Sequence, residues 1–172
     1  MTAYVALLRA VNLMRSSRLA MAELKRIGEE LNFGNPRTFI ASGNLVFSSG
    51  KREAAVQRAL EKALEKHMGK AVVVIVRTAK EMAAVAKANP FTDSPPNRVL
   101  AIFLADKPPE DALDHVRGWK DERLALGKRE IYVDYGELGV GRSKLKIPSA
   151  DAGTARNMNS VAKLAEMAKE LS

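Results

Sequence analysis

A chain of 172 residues that is 47% hydrophobic and 28% charged, with a net charge of +8, has the make-up of an ordinary folded protein with a basic lean. It contains no cysteine, so neither a disulfide framework nor a thiolate metal site can form. The longest apolar runs, Tyr4 to Leu8, Ala71 to Val76 and Val99 to Ala105, fall far short of the roughly 20 residues of a membrane span. Arg9 also ends the first run too early for a secretory segment, and a cytoplasmic, membrane-free protein is expected.

Ala3 to Leu8 is short and apolar and predicts a buried strand. From Ala20 the period changes: Ala20, Leu24, Ile27 and Leu31 stripe a helix that Gly34 and Asn35-Pro36 should stop. Arg37 to Ala41 and Leu45 to Ser48 predict two strands around a tight Ser42-Gly43-Asn44 hairpin. Val56, Leu60, Ala63, Leu64 and Met68 stripe a second helix closed by Gly69, and Ala71 to Arg77 is a β-branched strand. The order β-α-β-β-α-β over residues 1–78 predicts a ferredoxin-like subdomain.

A smaller α+β subdomain is expected over residues 79–172. Thr78 and Glu81 have the spacing of a capping box, opening a helix that runs to Asn89-Pro90. Val99 to Ala105 predicts a strand and Pro108-Pro109 the entry to a helix ending near Gly118. Ile131, Val133 and Tyr135 alternate with Tyr132 and Asp134, predicting a strand with one drier face. Gly136 to Gly141 should turn, and Val161, Leu164, Ala165, Ala168 and Leu171 stripe a last helix that Asn157 or Asn159 could cap. No internal repeat stands out.

Catalytic chemistry is thinly represented. His67 and His115 read as isolated helix residues, so no metal is expected, and no cofactor motif is present. Asp111 and Asp114 read as charge at a helix start. Ser42 lacks the elbow of a nucleophilic serine and reads as a turn residue. Gly136 to Ser143 matches a phosphate loop with arginine in the lysine place, but Pro148 forbids the helix that such a loop must enter. What survives is a glycine loop offering N–H groups and the cations Arg142, Lys144 and Lys146 to an anion. Residues 140–163 hold five cations against Asp151 alone, which keeps nucleic acid among the candidate partners, although aromatic residues are few.

Leu8-Arg9-x-x-Asn12, Met21-Ala-Glu-Leu24, Ile40-x-Ser42-Gly43-Asn44-x-Val46-Phe47, Asn89-Pro90-Phe91, Gly139-Val-Gly141-Arg142-Ser143-Lys144-Leu145 and Arg156-Asn157-x-Asn159 occur in this order along nearly the whole chain. Together they resemble the bacterial domain-of-unknown-function 1697 family. The resemblance implies a cytoplasmic two-subdomain α+β protein without an established activity or cofactor. The chain departs from the family pattern in two places. Ala10-Val11-Asn12-Leu13-Met14-Arg15 replaces Gly-Ile-Asn-Val-Gly-Gly, which alters any site that uses the glycine pair to admit a ligand to the backbone. Met158 stands where an aromatic residue is usual.

The favoured functional expectation is non-catalytic binding of an anion, a phosphorylated small molecule or nucleic acid, in a polar cleft between the subdomains. Its candidate ligands are Arg9, Asn12, Ser42, Asn44, Arg142, Ser143, Lys144, Arg156 and Asn157. An enzyme of unidentified reaction using the same cleft and a protein-interaction module are the alternatives. No sequence feature speaks to the oligomeric state.

Overall fold

A computed structural model describes residues 1–9 and 19–172. Asn12 and the departing positions Ala10 to Arg15 therefore lie outside the described residues. The chain divides into two units, Met1–Ala83 with Leu164–Ser172, and Ala84–Lys163. Both are mixed α+β.

The first unit runs β1 (Thr2–Leu8), α1 (Met21–Glu30), β2 (Gly34–Thr38), β3 (Asn44–Ser49), α2 (Glu53–Met68) and β4 (Val74–Thr78). Its sheet has the order β2-β3-β1-β4 with every neighbouring pair antiparallel. Leu24 and Ile27 of α1 and Val56, Leu60 and Leu64 of α2 bury their stripes against Tyr4, Ala6, Leu8, Leu45, Phe47, Val74 and Val76. Phe33 stacks on Phe47 with ring centroids 4.1 Å apart. Gly69 ends α2 in the left-handed conformation, at φ 73°, donating its N–H to Glu65.

Two local expectations are corrected here. Gly34, Asn35 and Pro36 do end the helical period, but they also open β2, because the chain turns back at Leu31 and Asn32. The β2–β3 connection spans residues 39–43, since Asn44 already pairs with Leu7; Gly43-Asn44 is not a two-residue turn.

β4 leads into α3 (Ala79–Lys87) through the capping box. Thr78 N–H donates to Glu81 Oε1 at 2.9 Å, and Glu81 N–H donates to Thr78 Oγ1 at 3.1 Å. Thr78→Ala is expected to cost about 1 kcal/mol in urea unfolding, with Thr78→Ser recovering most of it.

The second unit contains β5 (Val99–Phe103), β6 (Arg123–Leu126), β7 (Glu130–Asp134) and β8 (Thr154–Asn157), followed by α4 (Met158–Glu170), which ends in the first unit. Its sheet order is β6-β7-β5-β8, again antiparallel throughout. Taken in chain order, its four strands repeat the pairing of β1 to β4. The connections differ. Where β1–β2 and β3–β4 are joined by α1 and α2, β5–β6 and β7–β8 are joined by irregular loops with short 3-10 turns at Ala112–His115, Gly136–Leu138 and Pro148–Ala150.

Thus the helix expected from Pro108-Pro109 to Gly118 is a single 3-10 turn, after which Val116 is extended. Its apolar positions, Ala112, Leu113 and Val116, make one short stripe that cannot sustain further turns. β6 and β8 were not expected. β7 is buried at every position from Glu130 to Asp134 rather than on one face only. Tyr132 meets that burial by donating its hydroxyl to Val85 O at 2.8 Å, and desolvation pushes its pKa up to about 12. No helix among the described residues is long and apolar enough to cross a membrane.

Candidate functional site

The described expected ligands of the first unit, Arg9, Ser42 and Asn44, come together at one end of its sheet. β1 and β2 are both antiparallel to β3, so the end of β1 meets the β2–β3 connection. Leu8 N–H donates to Gly43 O at 2.9 Å, and Arg9, exposed, follows directly. Asn44 is fully buried; its amide donates to Phe39 O at 2.7 Å and to Ser42 Oγ at 3.0 Å. Ser42 and Asn44 are thereby engaged in holding the turn, in which Ile40 is forced to φ 50°.

In the second unit the Asn89-Pro90-Phe91 motif belongs to a charge-locked corner. Asp134 accepts from Ser94 Oγ at 2.7 Å, from Arg123 Nη2 at 2.6 Å and from the Gly136 N–H at 2.9 Å. Arg123 also pairs with Asp93 at 2.9 Å, and its guanidinium lies 4.7 Å from the Phe91 ring centroid. Burial would raise the Asp134 pKa, but the hydrogen bonds from Ser94 and Arg123, the Gly136 N–H and the Arg123 charge outweigh it and hold the carboxyl below its ordinary value.

Arg156 and Asn157 lie on β8. Arg156 is buried, donating to Thr154 Oγ1 and Ala155 O, and desolvation draws its pKa down to about 10. Asn157 accepts the Ser160 N–H at 2.9 Å and caps α4, as the sequence suggested. Met158, at the position usual for an aromatic, is buried.

Arg142, Ser143 and Lys144 sit in the β7–β8 loop. Gly136 and Gly139 adopt φ 60° and 75°, and the N–H groups of Gly139, Arg142 and Ser143 turn back onto loop carbonyls. That differs from the expected cradle of exposed N–H groups: the loop's charge is offered by side chains. Beyond Ser143 the chain extends and pairs with the β5–β6 loop, Arg117 and Lys146 exchanging backbone hydrogen bonds of 2.9 and 2.7 Å. Gly118 permits this approach, since at φ 78° a Cβ there would lie 2.1 Å from Lys144 O.

The paired loops enclose a cavity of about 300 Å³ lined by Gly118, Trp119, Lys120, Leu138, Arg142 and Lys144. The side chains of Lys120, Arg142 and Lys144 are exposed and make no hydrogen bond or ion pair among the described residues. Glu122, the nearby acid, is turned inward: Oε2 accepts from Ser143 Oγ at 3.1 Å and Oε1 from the Lys120 N–H at 2.9 Å. Sequence reading reached Arg142 and Lys144 but missed Trp119 and Lys120. The available signal was a lone tryptophan set among Arg117, Gly118 and Lys120.

His115 is less isolated than expected, with Asp111 Oδ2 3.1 Å from its Nε2 one turn earlier, both exposed. Among the described residues no group of three or more His, Cys, Asp or Glu side chains is arranged to hold a metal.

Two α+β units, each with a four-stranded antiparallel sheet, and a basic loop pair on the second define the protein's class. The chain belongs to the family described as protein of unknown function (DUF1697), which it matches over residues 1–132. That span includes Trp119 and Lys120 and stops before Arg142. Among solved structures the chain is similar to the conserved bacterial protein SP0830 from Streptococcus pneumoniae, with a TM-score of 0.80, 24% identity, and coverage of 97% of this chain and 98% of that one. That likeness is one of fold. No curated protein matches the sequence.

Proposed function

We propose that this protein binds a phosphorylated, anionic ligand without transforming it, through Lys120, Arg142 and Lys144 around the loop cavity of the second unit. The observation that carries the reading is charge that has no internal use. Three exposed cations converge on one cavity, while the adjacent carboxylate, Glu122, spends both oxygens on Ser143 and the Lys120 backbone. An anion entering the cavity meets three exposed cations free to form charge-assisted hydrogen bonds to it. The same reading takes the first unit as a ferredoxin-like subdomain, supported by its β-α-β-β-α-β order and its β2-β3-β1-β4 antiparallel sheet.

Calorimetric titration with inorganic tripolyphosphate tests the binding. The double variant Arg142→Ala/Lys144→Ala is expected to bind at least about tenfold more weakly, with unfolding midpoint unchanged. Lys62→Ala/Lys66→Ala, which removes the same charge from exposed positions of α2, should leave binding within about twofold. Equal losses in the two double variants would reduce the effect to net charge and remove the site.

A further inference from the structure

The cations of the cavity surround an aromatic face. Trp119 is the sole tryptophan of the chain and keeps 48% of its surface exposed, although an indole gains more from burial than almost any other side chain. It lines the same cavity as Lys120, Arg142 and Lys144. Gly118 and the Arg117–Lys146 backbone pair fix the segment that carries it against the segment that carries Lys144. Positive charge also extends past this cavity: Arg117 and Lys146, with Pro148 and Asp151, line another of about 490 Å³.

From this geometry we infer that the anion is a single-stranded nucleic acid, with one base stacked on Trp119 and its flanking phosphates on Lys120, Arg142 and Lys144. The inference rests on the anion reading and adds to it the base. An indole beside cations matches the alternation of flat base and charged phosphate, and every base has a π-face, so sequence preference is weak. A ligand of phosphates alone would leave the indole unused. A single nucleotide would leave Arg117 and Lys146 unused, and the presence of cations at both cavities of the paired loops therefore favours a strand. Asp121, exposed beside Lys120, the inward-turned Glu122, Asp114 and Asp151 are the acids along this cationic track, and the five cations still outnumber them.

Because Trp119 is alone, its fluorescence reports on this site. Titration of the whole protein with a twelve-residue oligothymidylate should quench it, with the same midpoint as the anisotropy of a labelled oligonucleotide. Trp119→Ala should weaken binding about 5- to 100-fold, and Trp119→Phe should restore most of it. Arg142→Ala/Lys144→Ala should reduce the slope of log affinity against log salt by about 1.4. Unchanged tryptophan fluorescence on saturation, or equally tight binding of an abasic strand of the same length, would overturn the stacked base while leaving the anion reading intact. Thymidine monophosphate binding as tightly as the strand would overturn the polymer, and tighter binding of an acidic peptide would replace it with a protein partner. Failure of tripolyphosphate and oligonucleotide alike would end both readings.

Discussion

Gly118→Ala is expected to lose about 3 kcal/mol of stability in urea unfolding and, with it, tripolyphosphate binding. The added Cβ would meet Lys144 O at 2.1 Å and Lys144 C at 2.8 Å, and neither atom can rotate away as a side chain does. A residue other than glycine at φ 78° already carries strain of about 1 kcal/mol or more. Separating the segments to relieve the clash breaks the two hydrogen bonds between Arg117 and Lys146, each contributing about 1 kcal/mol. Gly69→Ala is the matched control: φ is 73°, but no atom lies within 4 Å of the added methyl, so only the conformational cost of about 1 kcal/mol should appear. Equal losses at the two glycines would mean that the loops do not approach as described.

Asp134→Ala should cost about 3 kcal/mol. It removes the acceptor shared by Ser94, Arg123 and the Gly136 N–H and leaves Arg123 with Asp93 and the Ser94 hydroxyl. The Asp134 side chain keeps 5% of its surface exposed, whereas that of Arg123 keeps 45%, so water recovers part of the arginine's loss and none of the carboxylate's geometry. The corner also makes stability depend on pH. Its folded pKa lies below the unfolded value of about 3.9, so the contribution is fully present above that value and disappears as pH falls through the folded pKa. Thermal melts from pH 6 to pH 2 should show this acid loss in the wild type and a shallower one in Asp134→Asn. Parallel curves would exclude Asp134 as its source.

The first unit was more legible than the second for a physical reason. There each element carries its own periodicity and its own stop: Gly69 ends α2 where the apolar stripe ends, and Ala71 to Arg77 is β-branched enough to announce β4, although regular pairing begins only at Val74. β6 reads Arg-Leu-Ala-Leu and β8 Thr-Ala-Arg-Asn, compositions with little intrinsic strand preference; what makes them strands is a neighbour on the sheet, β7 for one and β5 for the other. The Pro108 to Gly118 segment erred in the opposite direction, having helix signals but too short an apolar stripe to hold a helix in place. The candidate site divides the same way. Arg142 and Lys144 were visible as a glycine loop with cations, a local pattern. Trp119 and Lys120 join them only because Arg117 pairs with Lys146 across a long stretch of chain, and no local spacing encodes that bridge.

α4 gives the order of synthesis a consequence for folding. Its last residues belong with the first unit, where Arg37 of β2 donates to Met167 O at 3.3 Å and pairs with Glu170 at 3.1 Å. A nascent chain that has emerged only as far as Ala83 holds every strand of the first sheet but lacks these C-terminal partners. The middle of the chain, Ala84 to Lys163, must be translated before they arrive. The N-terminal unit thus acquires these partners only after the whole of the second unit has been translated.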